Sequence, residues 1–187
     1  MVNVLNASSL TLQDVRDRCQ LDFQYEQDFA PFLALQPLTA SERDRATELR
    51  QIWERYYVQG KVSEGQVNLL AVSPLLWNTG YVLEPTLQIA MEENIAEIAI
   101  EDGETVIRGR MDLLISRLQG QVPLCVLIIE TKNSAISPAA GLAQLLTFTY
   151  ASSFLAGQPF VWGLVTNGAD YQFVRVEPGL YSKERAS

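Results

Sequence analysis

The sequence contains no histidine at all. Histidine is the base of Ser-His-Asp and Cys-His hydrolases and the commonest metal-binding side chain, so enzymes and zinc sites that need an imidazole are excluded. Cysteine is almost as scarce, because Cys19 and Cys125 are the only two. Two distant thiols are too few for a disulfide framework or a cysteine zinc site, and we expect both to be reduced. Any hydrolytic chemistry must therefore use carboxylates, lysine, hydroxyls and a hard metal ion.

Long apolar runs are also missing. No stretch approaches the roughly 18–20 apolar residues that a helix needs to cross a bilayer. The first ten residues have neither the basic start nor the apolar core of a signal peptide. Hydrophobic residues make up 48% of the 187 and charged residues 19%, which is typical of a globular protein. We therefore expect a soluble, cytoplasmic protein that has no membrane partner.

Positive charge is in short supply and unevenly distributed. The net charge is −8, which argues against a broad electrostatic attraction to nucleic acid. Eight acidic residues and no Lys or Arg occur from Glu64 to Glu104. From Thr105 to Tyr150 the balance reverses, with four basic residues against two acidic ones. A local positive patch of this kind permits DNA binding by a protein that is acidic overall.

The first third of the chain has helical periodicity. Residues 11–30 and 40–59 are predicted to form amphipathic helices, the second with Ser41 as its N-cap. Residues 1–62 are accordingly predicted to be a helical N-terminal extension. A capping box from Ser63 to Gln66 then predicts the start of a third helix, which Pro74 should kink or divide.

The remainder predicts an α/β core over residues 63–178. Strands are predicted at 86–91, 97–100, 105–116 and 123–131, the last buried on both faces at the centre of a sheet. Ser137 and Pro138 predict the start of a further helix that Gly157 ends. Two strands, 160–166 and 171–176, follow around an Asn167-Gly168 hairpin turn. Residues 179–187 are expected to be a loose tail.

One pair of strands brings acidic residues together. With a hairpin centred near Gly120, Asp112 is predicted to lie near Ile128, and Glu130 near Arg110. The two carboxylates would then be diagonal neighbours on one face, with Cβ atoms about 5–8 Å apart. Lys132 lies two residues beyond Glu130 and points the same way.

These residues suffice for phosphodiester hydrolysis without histidine. Two carboxylates, with the Thr131 carbonyl between them, can hold one Mg²⁺ ion, which polarises a phosphate and acidifies a bound water. A lysine beside the ion can orient that water or neutralise developing charge. The same residues also fit the simpler hypothesis of solvated strand ends or an ion pair. Glu130, however, ends a run of seven uncharged residues, where a carboxylate is costly without a compensating cation.

The two segments that contain these residues also match a known pattern. Gly109-Arg110-Met111-Asp112, followed by Glu130-Thr131-Lys132, resembles the catalytic hairpin of the PD-(D/E)xK, or restriction-endonuclease-like, nuclease superfamily. Gln144 with Phe148 four residues later is similar to the Q-x-x-x-Y motif of its RecB-like branch, with phenylalanine in place of tyrosine. Thr166-Asn167-Gly168 resembles a turn in the N-terminal nuclease domain of type I restriction enzyme motor subunits.

The likeness extends upstream and covers residues 63–176. Ser63-Glu64, followed by Pro74-Leu75-Leu76 and Gly80-Tyr81, is similar to the first core helix of the same domain. The resemblance implies a restriction-endonuclease-like mixed β-sheet flanked by helices. It also implies a Mg²⁺- or Mn²⁺-dependent phosphodiesterase that acts on DNA.

The resemblance assigns a role to each candidate residue. Asp112 and Glu130 would be metal ligands and Lys132 the catalytic lysine. Glu64 would be an outer or water-mediated ligand, although an acid in a first helical turn is also favoured by the helix dipole. Gln144 would orient the site or contact a phosphate, unless it only bonds to backbone. The last two candidates, Arg108 and Arg110, would contact the DNA backbone or simply face solvent.

Other functions remain open. The main alternative is a catalytically inactive binding or assembly subunit with the same fold, which the net negative charge and the lack of a DNA-reading motif favour. An intact Asp112, Glu130 and Lys132 set favours the enzyme, because a scaffold has no need of all three. A hydrolase of RNA or of a small molecule is a third reading. The apolar faces of residues 1–62 are expected to pack on the core or to contact a second copy or another subunit.

Overall fold

The computed structural model of the chain describes residues 3–21, 36–94, 98–99, 105–119, 122–156 and 158–177. The helices are α1 (Leu12–Cys19), α2 (Ala40–Tyr57), α3 (Glu64–Val67), α4 (Ser73–Asn78) and α5 (Leu142–Ala156). The strands are β1 (Asn3–Asn6), β2 (Leu87–Asn94), β3 (Ile98–Ala99), β4 (Thr105–Arg108), β5 (Arg110–Gln119), β6 (Val122–Thr131), β7 (Val161–Thr166) and β8 (Tyr171–Val176). The predicted tail at 179–187, the hairpin tip at Gly120 and the helix end at Gly157 lie outside the described residues.

The main sheet has five strands in the order β2-β5-β6-β7-β8. The β6–β7 pair is parallel and the other pairs are antiparallel, so the sheet is mixed. Strand β6 lies in the middle, as its continuous apolar run predicts. A second sheet has the order β1-β4-β3.

Helices cover both faces of the main sheet, which confirms a mixed α/β fold flanked by helices. Adjacent β6 residues show the two sides, because Ile128 packs in one apolar cluster and Ile129 in the other. The first cluster contains residues of α5 and α1, such as Leu145 and Val15. The second contains residues of α2, α3 and α4, such as Trp53. Within the described part of the chain, no helix is long and apolar enough to span a membrane.

The N-terminal region differs from the predicted helical extension at its first described residues. It begins with strand β1, which pairs in parallel with β4. Its helix α1 buries Val15 and Cys19 in the same cluster as α5. Four residues with an asparagine at each end are too short for strand alternation to be visible, so the partner strand determines this conformation. The strand at Asn3–Asn6 is a departure from the predicted helical extension, whereas residues 22–30 of the predicted helix 11–30 lie outside the described residues.

Helix α2 also packs closely on the core. Gly168, in the turn between β7 and β8, has a positive φ of 88°, and a Cβ added there would meet the ring of Trp53 at 2.0 Å. The predicted hairpin turn is confirmed, since β7 and β8 are antiparallel neighbours. The side chain of Asn167 accepts hydrogen bonds from the backbone N–H groups of Ala169 and Asp170. The turn thus serves as a docking point for α2.

One predicted strand, 105–116, is in fact two strands that belong to different sheets. The break occurs at Gly109, between β4 and β5. A Cβ at Gly109 would lie 2.9 Å from the Cβ of Ala7 and from the ring of Phe148. Only glycine permits this close approach, and the chain passes from one sheet to the other at that point.

The helix predicted to begin after Ser63 is present and divided. Ser63 and Gln66 form the expected capping box at the start of α3. A π-helical turn, Asn68–Val72, separates α3 from α4. Pro74 lacks an N–H and its ring clashes with the carbonyl four residues earlier, which explains why regular α-helix stops ahead of it. Division of the helix near Pro74 is thereby confirmed.

Two other helix starts gave different outcomes. The N-cap of α2 is Thr39, not Ser41, because Thr39 and Glu42 form a capping box and Ser41 lies inside the first turn. Ser137 does act as an N-cap, with Pro138 following it, for a short 3-10 turn that leads into α5. Both predicted helices therefore exist, and the N-cap of α2 lies two residues earlier than expected.

Candidate active site

Asp112 and Glu130 lie on adjacent antiparallel strands, β5 and β6. The last residue pair between these strands is Leu113 with Ile129, and one step further in this register Asp112 faces Glu130. The predicted register, with Asp112 near Ile128, was wrong by two residues. An even shift preserves the face of the sheet, so the two carboxylates share one face, as expected.

A β-bulge at Val126 is responsible for this arrangement. Near the hairpin tip, Ser116 pairs with Cys125, whereas the preceding residue of β5, Ile115, pairs with Leu127. Val126 is therefore an extra residue in β6. Without it, the tip register would bring Asp112 opposite Ile129 and leave Glu130 on the other face. The bulge thus places both carboxylates on the same side.

Where the pairing of β5 and β6 ends, the carboxylate of Asp112 accepts the hydrogen bond that a backbone carbonyl of β5 would otherwise accept. Its Oδ2 accepts hydrogen bonds from the backbone N–H of Thr131 at 2.7 Å and from the Thr131 hydroxyl at 2.8 Å. The N–H of the next residue, Lys132, donates to Thr166 of β7, so the N–H of Thr131 points towards β5. Oδ1 of Asp112 takes no hydrogen bond from the described residues, which leaves it available to a ligand.

Glu130 is a buried carboxylate held between two donors. Only 1% of the residue is exposed. Nζ of Lys132 lies 2.5 Å from Oε1, and Nε2 of Gln144 donates to Oε2 at 3.0 Å. Burial, together with the negative charge of Asp112, raises the pKa of Glu130 to about 7 despite the opposing effect of Lys132. A cation at this position would relieve the cost of burying that charge.

Helix α5 supplies the other wall of the site. Gln144 bonds Glu130 and also donates to the backbone carbonyl of Arg110 at 3.4 Å, so it connects β6 to β5. The helix approaches closely because residue 141 is glycine. A Cβ there would lie 3.0 Å from Cε of Lys132 and 3.1 Å from Cγ of Glu130.

The remaining predicted site residues lie around this centre. Glu64 is the exposed first residue of α3, and its charge contributes to the raised pKa of Glu130, although no hydrogen bond joins it to Glu130 or Asp112. Arg108 is exposed at the end of β4. Arg110 is also exposed, with an ion pair to Glu92 at 3.4 Å. The structure therefore brings Glu64 near the acids and leaves both arginines at the surface.

Two motif positions have structural roles. Phe148 is fully buried against Gly109, so its side chain is part of the core and is not placed to contact a nucleotide. Nδ2 of Asn167 donates to the backbone carbonyl of Ile136, which fixes the loop after β6 to the turn after β7.

Sequence reasoning missed one residue, Asn68. Its Nδ2 donates to the hydroxyl of Thr131 at 3.2 Å. Its Oδ1 is buried and has no hydrogen-bond partner in the part of the chain that the structure describes. The only signal in the sequence is a polar residue within the apolar stretch from Val67 to Val72.

The donor set fits a hard divalent cation with a small number of protein ligands. Among the described residues, no group of three or more His, Cys, Asp or Glu side chains is placed to hold a metal ion. The candidate metal ligands are therefore two carboxylates, those of Asp112 and Glu130, and the backbone carbonyl of Thr131. This carbonyl points towards β5, as the N–H of the same residue does. Mg²⁺ is commonly held by one or two carboxylates, with water and substrate phosphates completing its shell. Two carboxylates and a carbonyl therefore fit Mg²⁺ or Mn²⁺.

Comparison of the chain with protein-family models gave no match, and comparison with curated proteins gave none either. The restriction-endonuclease-like fold consequently stays a prediction. The chemistry of the site has to be argued from its own residues.

Proposed function

We propose that the protein is a Mg²⁺-dependent phosphodiesterase that acts on DNA, an endonuclease or nuclease module of a restriction- or repair-type system. One observation supports this above all: Asp112, Glu130 and Lys132 converge where β5 and β6 separate. The central position of β6 in a mixed sheet with helices on both faces is consistent with the PD-(D/E)xK pattern that the sequence resembles.

Asp112 and Glu130 would hold the cation, together with the Thr131 carbonyl. A bound Mg²⁺ ion supplies the Lewis acidity that polarises a phosphate and acidifies a water molecule. Asp112 offers Oδ1, since its Oδ2 is already held by two donors of Thr131. Glu130 offers a carboxylate that Gln144 orients and that the protein alone stabilises poorly in its charged form.

Lys132 is the catalytic lysine. Its ammonium group contacts Glu130 and its side chain is 17% exposed, so it borders both the acid pair and solvent. An ammonium has three N–H donors, and the contact with Glu130 engages one of them. The others are free to orient the attacking water or to neutralise charge on the phosphate. Glu64, at the exposed rim, would be an outer or water-mediated ligand of the cation.

The exposed arginines Arg108 and Arg110 contact the DNA backbone. The ion pair of Arg110 with Glu92 has both side chains more than half exposed, so it contributes little stability and can be exchanged for a phosphate. The net charge of −8 requires such contacts to be local.

A second function, an inactive binding or assembly subunit with the same fold, is favoured by that acidity and by the lack, among the described residues, of a third acidic side chain placed to hold a metal ion with Asp112 and Glu130. The two functions differ in turnover, which the following experiment measures.

Supercoiled plasmid incubated with the purified full chain tests the proposal. We expect nicking or cleavage with Mg²⁺ or Mn²⁺ and none with EDTA. Lys132→Ala should lower the rate by roughly 100-fold or more, the usual effect of losing a donor to developing charge. Lys61→Ala, an exposed lysine outside the site, is the matched control and should cleave like wild type. Absence of cleavage by wild type, or full activity in Asp112→Asn, would contradict the proposal.

A further inference from the structure

The π-helical turn Asn68–Val72 brings one polar side chain to the candidate site. It buries Ala71 and Val72 in the core beside β6, and Asn68 begins it. Turns of this type are rare and occur frequently at functional sites. Here the turn sets the Asn68 amide against the hydroxyl of Thr131.

Two hydrogen bonds connect Asn68 to Asp112 through the Thr131 hydroxyl, and their donors and acceptors can be arranged in only one way. An ionised carboxylate accepts and cannot donate, so the single hydroxyl hydrogen of Thr131 goes to Oδ2 of Asp112. The Thr131 oxygen must then accept from Nδ2 of Asn68. Each residue in this series of hydrogen bonds thus fixes the orientation of the next.

Folding stability does not account for Asn68. Its amide makes one neutral hydrogen bond and leaves Oδ1 buried without a partner among the described residues. An unpaired buried acceptor costs at least as much as one neutral hydrogen bond returns. An apolar side chain of similar size would therefore serve the fold equally well.

We infer that Asn68 is a positioning residue of the active site. Through the Thr131 hydroxyl, it holds the Asp112 carboxylate so that Oδ1 is presented to the cation. This inference rests on the proposed function, because it requires the site to bind a divalent cation. It assigns to Asn68 the role of an outer hydrogen-bond partner that orients a metal ligand.

Calorimetric titration of the full chain with Mn²⁺, in the absence of DNA, tests the inference. Asn68→Ala should weaken Mn²⁺ binding by about 10-fold, the lower end of the effect of losing an outer partner of a ligand. Its melting temperature in EDTA should equal or exceed that of wild type. Asn78→Ala, an exposed asparagine at the end of α4, is the matched control and should bind Mn²⁺ like wild type.

A second variant tests the route through Thr131. Thr131→Val keeps the backbone N–H and carbonyl but removes the hydroxyl, so it should weaken Mn²⁺ binding to a similar extent. Since both changes interrupt the same chain, Asn68→Ala should cause little further loss in the Thr131→Val background.

Wild-type affinity in Asn68→Ala, or losses in the two variants that add fully, would overturn the role of Asn68 and leave the proposed function standing. A loss of affinity matched by a large fall in melting temperature would mean that Asn68 is merely structural. Should Asn68→Ala fail to fold, Asn68→Ser and Thr131→Val decide, and wild-type binding by both overturns the inference. No Mn²⁺ binding by wild type would overturn the proposed function as well.

Discussion

One oxygen of Asp112, Oδ2, receives both hydrogen-bond donors of Thr131, the backbone N–H at 2.7 Å and the hydroxyl at 2.8 Å. The other oxygen, Oδ1, accepts no hydrogen bond from the described residues. An asparagine at 112 could keep both Thr131 contacts through its amide oxygen and place its NH₂ group where Oδ1 now lies. Asp112→Asn therefore removes the negative charge and keeps both hydrogen bonds from Thr131.

We therefore expect Asp112→Asn to be more stable than wild type in EDTA. The substitution ends the repulsion between Asp112 and Glu130, which is worth on the order of 1 kcal/mol, or about one pKa unit. Millimolar Mg²⁺ should stabilise wild type and not the variant, because a ligand that binds only the folded state shifts unfolding by mass action. Thermal melting with EDTA and with Mg²⁺ measures both effects.

Asp44→Asn, at an exposed position of α2, serves as the control and should change neither curve. Two results together would contradict the metal site: Asp112→Asn melts below wild type in EDTA, and Mg²⁺ leaves the melting temperature of wild type unchanged. The two acids would then form a structural ion pair with Lys132.

The raised pKa of Glu130 predicts a pH dependence of stability in the metal-free protein. The pKa is about 7 in the folded protein, against 4.5 as the ordinary value, so the folded state holds a proton that the unfolded state releases. The resulting stabilisation is complete below pH 4.5 and is lost as the pH rises through 7. We expect a loss on the order of 1–3 kcal/mol from this group.

Urea denaturation in EDTA between pH 5 and pH 8 measures this loss. Glu130→Gln cannot titrate and should show a flatter dependence, whereas Glu48→Gln, on the exposed side of α2, should follow wild type. Parallel curves for wild type and Glu130→Gln would show that Glu130 is already ionised throughout this range.

Gly141→Ala should damage the site from the side of α5. The added Cβ would lie 2.9–3.1 Å from side-chain atoms of Val165, Lys132 and Glu130, so the helix or the site must move. Such overpacking typically costs about 1–3 kcal/mol. Both the free energy of unfolding, measured by denaturation, and the rate of plasmid cleavage should fall.

Gly65→Ala in α3 is the matched control, because a Cβ there meets nothing within 4 Å. It should be neutral or slightly stabilising. Equal behaviour of the two variants would mean that α5 adjusts freely to the extra methyl group.

Trp53→Ala tests whether the N-terminal region is part of the core. The Trp53 ring is buried over the Gly168 turn, and loss of a buried tryptophan typically costs about 3–5 kcal/mol. Trp77→Ala removes the same side chain from a position that is 57% exposed and should cost far less. Comparable losses in urea denaturation would indicate that α2 does not contribute to the stability of the core.

Local sequence signals account for the parts of the fold that were predicted correctly. The apolar run of β6, the Ser137-Pro138 start ahead of α5 and the Asn167-Gly168 turn each depend on neighbouring residues alone. The common face of Asp112 and Glu130 was also predicted, although from a register that was wrong by an even number of residues.

The features that sequence reasoning missed depend on contacts between distant segments. Val126 stands in a run where every residue is apolar, so no alternation marks it as the bulged one. Gly109, between β4 and β5, is closely approached by Ala7 and Phe148, which would lie 2.9 Å from an added Cβ, and neither residue is near Gly109 in sequence. Asn68 starts the π-helical turn ahead of Pro74 and contacts Thr131, which is 63 residues away in sequence.

The bulge at Val126 also affects how related chains would be found. It makes the interval between Asp112 and Glu130 one residue longer than the same hairpin needs without a bulge. A homologue that had lost this residue would keep the two acids opposite each other at a shorter interval. A motif search with a fixed interval would separate two such proteins, whereas one that tolerates a single insertion within β6 would group them together.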